Sequence, residues 1–258
     1  MAWRRWATTV LTLWMTLPVA CGGGGGDTPA RGQVLFAGEA GQLVPHGTGR
    51  SSTFRVTATS EGASEVSSFT ATVISDGDDG VFVTRYVSAT GAVAESTSRD
   101  TGDEIVVERF VNDPGGPGEQ RALLDPPVGV VRTPVVAGET IESSFARTLE
   151  LAIRVGETTL RRQVLFVGNA RRVALEQAAV TVPAGTYADA IRYAVDATGE
   201  TSIPVLGESV AIGVEVEGDE WFAPGVGGVK EELEVTVRAG DESSTIRFTT
   251  EREAAPPG

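Results

Sequence analysis

The chain has 258 residues, with 21 lysines and arginines against 35 aspartates and glutamates, and a formal charge of −14. Such a surface repels nucleic acid and anionic headgroups, and its first effect is to keep a protein soluble. The single cysteine excludes an internal disulfide, so the fold has to rest on a core.

Residues 1–20 read as a secretory signal, with Arg4 and Arg5 ahead of an apolar run from Val10 to Ala20 that is too short to anchor across a bilayer. The run ends in Leu17-Pro18-Val19-Ala20-Cys21. A small residue before a lone cysteine resembles the lipobox of bacterial lipoproteins, which implies that Cys21 is diacylated and becomes the mature N-terminus. The alternative is a cleaved secretory protein with an incidental cysteine. Two acyl chains, at about 0.8 kcal/mol per buried methylene, hold a protein on a membrane. Residues 21–32 hold five consecutive glycines and form a flexible tether, with a reach of roughly 20 Å. By the same likeness, Gly22 after the lipidated cysteine favours the outer membrane, with the domain facing the periplasm or the cell exterior.

From Gln33 onward the hydrophobic period is two. Phe69, Ala71 and Val73 alternate with threonines, Val214 and Val216 with glutamates, and Leu233, Val235 and Val237 with polar residues. Alternation of this kind marks antiparallel strands with one face buried and one wet. Strands are predicted over Gln33–Ala37, Ser52–Thr59, Glu65–Ser75, Val81–Ser88, Ala92–Ser98, Glu104–Val111, Glu142–Val155, Thr158–Phe166, Arg171–Glu176, Val180–Val182, Ala188–Asp196, Glu208–Glu217, Gly228–Arg238 and Ser243–Glu251. Turn signals separate them, among them Asp76–Gly80, Ala197–Glu200 and Glu217–Asp219. Consecutive hairpins make an all-β antiparallel meander with little helix, one domain over 33–251. The Pro-rich, extended stretch 125–136 is the candidate seam within it, and the tail 252–258 is expected to fray.

Chemistry has few footholds. His46 is the lone histidine, in a loop entering the first long strand. It reads as a turn residue more readily than as a general base, because no Gly-x-Ser-x-Gly elbow or Ser-x-x-Lys motif supplies a nucleophile. Asp76, Asp78 and Asp79 before Gly80 lack the ligand spacing of a calcium loop and read as a hairpin turn. Glu215 and Glu217 share one strand face, opposite valines, and read as a solvated outer face rather than a catalytic pair. No zinc cluster, phosphate loop or dinucleotide fingerprint occurs, so no metal or cofactor is expected.

Two stretches stand apart. In Trp221-Phe222-Ala223-Pro224-Gly225-Val226-Gly227-Gly228-Val229-Lys230, Pro224 and Gly225 suit the centre of a type II turn. Gly227 and Gly228 then permit a bulge, while Trp221 and Phe222 must point to opposite faces. In Val180-Thr181-Val182-Pro183-Ala184-Gly185-Thr186-Tyr187 a strand likewise meets a Pro-Ala-Gly turn. Together they resemble the signature of the TapB-like group of bacterial envelope lipoproteins, itself distantly similar to the LolA/LolB lipoprotein carriers. The resemblance implies a strongly curved sheet, an unclosed barrel or a sandwich. It marks Pro183, Gly185, Tyr187, Trp221, Pro224, Gly225 and Gly227 as structural motif residues and brings no activity. The expectation is a membrane-anchored lipoprotein whose non-enzymatic domain has a binding or scaffolding role in the cell envelope, with an apolar ligand or an envelope protein as its partner. The alternative is a carrier of a lipid or other apolar ligand, and a third reading is a secreted hydrolase using paired carboxylates.

Overall fold

The computed structural model describes residues 31–115, 120–155, 158–205 and 208–254. The leader, Cys21, the tether up to residue 30 and the end of the tail lie outside the described residues. In chain order the elements are β1 (Val34–Phe36), α1 (Ala40–Leu43), β2 (Ser51–Ser60), β3 (Ala63–Asp76), β4 (Val81–Ser88), β5 (Val93–Asp100), β6 (Glu104–Asn112), β7 (Gln120–Arg132) and β8 (Val135–Val136). Then follow β9 (Thr140–Val155), β10 (Thr158–Val182), β11 (Gly185–Val205), β12 (Glu208–Ala223), β13 (Gly227–Ala239) and β14 (Glu242–Arg252).

Twelve antiparallel strands close into a barrel, and β1 and β8 form a separate two-stranded sheet. This corrects the expected unclosed barrel or sandwich. Strands β2 to β7 and β9 to β14 pair in chain order, as a meander should. Closure comes from two further pairings. β14 joins β2, from Arg247 opposite Thr59 to Arg252 opposite Phe54, and β7 meets β9 at Asp125 opposite Ala146. Closure satisfies the backbone groups that an open sheet would leave at its edges. Alternation reveals which face of a strand is buried but not which distant strand becomes its neighbour. The stretch 125–136 runs through the end of β7 into β8 and includes the β7–β9 closing contact.

Two predicted turns are also corrected. Ala197–Glu200 lies inside β11 and Glu217–Asp219 inside β12, with both strands continuous through them. The glycines there make room instead of reversing the chain. A Cβ on Gly199 would press into the Phe166 ring, and one on Gly218 into the Glu232 backbone. β10 likewise runs unbroken through three predicted strands, absorbing its excess length in irregularities at Ala174/Glu176 and Ala178/Val180.

Inward residues form one core, including Val56, Val73, Phe82, Phe110, Val195, Val214, Val216, Val235 and Phe248. Twelve strands enclose more space than their own side chains fill, and the segment before β2 occupies part of it. Leu35, Ala40 and Leu43 are buried in the same core. This cap is fastened to barrel turns at one end: Ala40 N–H donates to the Gly102 carbonyl at 3.0 Å, and Gly225 N–H to the Gln42 carbonyl at 2.6 Å. The outer wall carries cross-strand ion pairs, among them Arg55–Glu251, Arg85–Glu95 and Arg99–Glu108, each at 2.7 Å. A lipid-facing barrel instead presents an apolar band outward and a polar lumen inward, the reverse of this arrangement.

Candidate functional site

The two singled-out motifs meet at the capped end. Val226 N–H bonds the Ala223 carbonyl at 3.0 Å and Gly225 takes φ of +73°, closing the turn between β12 and β13. Trp221 pairs with Lys230 and Phe222 with Gly228, so Val229 is an extra residue and β13 bulges. Phe222 points into the barrel, with its ring edge-on to Tyr193 at 5.8 Å. Trp221 lies on the outer face between two cations, the Arg192 guanidinium 5.7 Å and the Lys230 ammonium 5.1 Å from its ring. Outside the wall, Trp221, Tyr187, Ala184 and Val226 pack around Val180, Val182, Ala190, Ala223 and Val229 as a second small core. Pro183 and Gly185 turn β10 into β11, and Ala184 N–H reaches the Arg252 carbonyl at 3.0 Å, bringing that hairpin to the end of β14. Pro224 and Gly227 complete the same corner, and Gly227 also forms part of the rim of a cavity inside the barrel.

That cavity, of about 210 Å³, lies beneath the cap against β2 to β7 and β12 to β14. Its wall is largely apolar: Phe54, Phe69, Phe82, Val107 and Phe110 contribute, with Phe54 and Phe69 stacked at 5.1 Å. A polar arc of Tyr86, Ser96, Ser98, Glu231 and Thr250 interrupts it. Tyr86 and Ser96 hydroxyls bond each other at 3.2 Å. Glu231 stands directly opposite Glu220 in the β12–β13 ladder. Burial first, and the Glu220 charge second, push the Glu231 carboxyl up to about 8. Behind it Arg172 and Glu220, each 1% exposed, form an ion pair at 3.2 Å, and Arg172 also donates to the Gly129 carbonyl at 2.6 Å. The Tyr193 hydroxyl and one Glu220 oxygen are buried there without a hydrogen-bond partner.

At the rim stand two arginines. Arg50 donates to the Gly225 carbonyl at 2.6 Å and Arg252 to the Val226 carbonyl at 3.0 Å. Burial, and behind it the Arg50 charge, hold the Arg252 guanidinium below its ordinary pKa. Of the interior and rim residues, Phe222 and Gly227 belong to the motif singled out from the sequence, whereas Tyr86, Arg172, Glu220, Glu231, Arg50 and Arg252 were not read as site residues. Strict alternation along Val214, Val216, Gly218, Glu220 and Phe222 would have turned Glu220 inward had the Glu217–Asp219 turn signal not been believed.

His46 sits between two carboxylates, Nδ1 3.0 Å from Asp76 and Nε2 2.8 Å from Asp100, with its ring stacked on Phe82 at 4.4 Å. Both ring nitrogens are engaged, which leaves none to accept a proton from a serine. Asp76 therefore does more than shape its turn, whereas Asp79 caps that turn through the Val81 N–H at 3.2 Å. Glu215 is paired with Arg238 on the outer face, and Glu217 is exposed beside it. A second cavity, of about 730 Å³, runs along β9 to β12 past Phe145, Gly168, Gly199 and Gly213. Of its charged lining residues, Glu215 and Arg238 pair with each other, and Asp125 and Glu200 complete the set.

No protein-family model and no curated protein matches the chain. The likeness to the TapB-like group thus rests on the two motifs alone. Among solved structures, a "putative exported protein with YmcC-like fold" from Bacteroides fragilis is 14% identical, over 81% of this chain and 96% of the other, with a TM-score of 0.33. A "putative lipoprotein" from Parabacteroides distasonis is 13% identical, over 87% and 99%, with a TM-score of 0.37. Likeness at this level has no bearing on what the chain does.

Proposed function

We propose that this chain is a lipid-anchored, non-enzymatic envelope protein of the outer membrane whose barrel carries an apolar ligand in its interior. The observation that carries the reading is the aromatic-walled cavity beneath the cap, with a few convergent polar groups and one carboxyl held neutral at pH 7. The anchor rests on Ala20-Cys21 and the glycine tether. Arg31, ten residues after Cys21, lies beside Gly138 at the capped end, so the cavity and the tethered side of the barrel share one end. A carrier exchanging ligand with a bilayer is served by that arrangement. The non-enzymatic part is supported by His46, whose nitrogens are both taken, and by Glu215, whose charge Arg238 pairs on the outer face.

The test is native mass spectrometry on residues 27–258, which retain every barrel strand and the cap, secreted into a periplasm and purified without detergent. A mass excess matching a lipid is expected. A bare polypeptide that also fails to take up added octanol or octanoate would end the carrier reading and leave a scaffolding role.

A further inference from the structure

Nine of the described arginines, 55, 85, 99, 132, 171, 172, 192, 238 and 247, pair with a carboxylate. In a chain so rich in acid this is the ordinary outcome. Arg50 and Arg252 differ. They converge on the carbonyls of one turn, at 2.6 and 3.0 Å, and no carboxylate among the described residues lies within ion-pair reach of either. Carbonyl dipoles orient the two guanidiniums without neutralising them. Arg252 is half-buried, and the Arg50 charge adds to the cost of charging it. Two like charges side by side at the rim of an apolar cavity form an incomplete site, which an oxyanion accepting bidentate hydrogen bonds would complete.

We propose that Arg50 and Arg252 bind the oxyanion head, carboxylate or phosphate, of a single-chain amphiphile whose tail lies among Phe54, Phe69, Phe82 and Phe110. This rests on the carrier reading above and names its ligand class. The cavity's about 210 Å³ falls below the range of roughly 300–1,000 Å³ usual for small-molecule pockets, which suits one short acyl chain and excludes a two-chain lipid. Glu231, the carboxyl in the wall, stays protonated at neutral pH and so does not repel the head. The turn that the two arginines share also holds the cap through Gly225 N–H and Gln42, so the head would sit where cap and barrel meet.

Calorimetric titration of residues 27–258 with octanoate, octyl phosphate, 1-octanol, octyltrimethylammonium and inorganic phosphate tests this. At least one oxyanion amphiphile should bind tenfold or more tightly than 1-octanol, and the tighter of the two identifies the head. The cation should bind no better than the alcohol. In Arg50→Gln with Arg252→Gln the oxyanion preference should fall to within twofold while octanol binding persists, and Arg50→Lys with Arg252→Lys should restore part of it. Persistence of octanol binding shows that the glutamine variant has kept its fold. Equal binding of octanol and both oxyanion amphiphiles overturns this assignment and leaves the carrier reading standing. Failure of every octyl probe removes the carrier reading itself. Inorganic phosphate binding as tightly as octyl phosphate would make this a plain anion site and also overturn the proposal.

Discussion

At the scale of single residues, two partly buried titratable groups give the protein pH responses of the same sign from different causes. Burial opposes a charge on His46, but hydrogen bonds to Asp100 and Asp76 and their negative charges outweigh it, so its pKa lies above 6.5. A raised folded pKa means that protonation stabilises the fold: the contribution is complete below the unfolded value and is lost as pH rises through the folded one. His46→Gln should therefore cost about 1–3 kcal/mol at pH 6, with the Tm gap to wild type shrinking by pH 9. A gap independent of pH would refute the double ion pair. Glu231 shifts stability in the same direction, but through burial rather than ion pairing. Between its ordinary 4.5 and about 8 the folded state retains a proton that the unfolded chain has released, so stability falls as pH rises across that window. Glu231→Gln keeps the shape and the donor while removing the titration. Its Tm should exceed wild type at pH 8 and approach it near pH 5, and parallel curves from pH 5 to 9 would exclude the assignment. The alternating pattern made the valines of β12 and β13 legible, but a polar residue on an inward position sends the same signal as one in a turn. Glu220, Glu231 and Arg172 were hidden for that reason.

At the scale of elements, the hairpin turns were the easiest features to read, because proline and glycine dihedral preferences are local. Gly225 at φ +73° is the position of the β12–β13 turn where a side chain is strained. Pro224→Ala combined with Gly225→Val should destabilise the barrel by about 1–3 kcal/mol in chemical denaturation. An unchanged midpoint would mean that the turn does not hold the two strands in register. The cost should exceed that of a free surface turn, since its carbonyls hold Arg50 and Arg252 and its N–H holds the cap. Local signals misled where glycine served packing. Gly199 and Gly218 carry the composition of turns but sit mid-strand, where Phe166 and the Glu232 backbone approach too closely for any side chain. Only the neighbouring strand distinguishes the two uses.

At the scale of the whole molecule, the barrel encloses its apolar surface and turns its ion pairs outward, and the proposed function assigns membrane attachment to Cys21 and its tether. Cys21→Ala should move the protein from the membrane fraction to the soluble fraction without altering its melting temperature. Retention in the membrane fraction would place the anchor elsewhere. The cap, the two motif corners and the cavity rim all lie at one end of the barrel, the end at which Arg31 enters. The carrier reading draws on that common location.

From the sequence alone came the all-β class, the antiparallel hairpins, most strand positions and the turn at Pro224-Gly225, because each depends on residues near one another along the chain. Closure into twelve strands was beyond it: Arg55 meets Glu251 across 196 positions, and no period or propensity records such a pairing. The cavity followed from closure. Arg50 and Arg252, two hundred residues apart and unremarkable in their local sequence, become neighbours at its rim only because β14 pairs with β2 beside the β12–β13 turn.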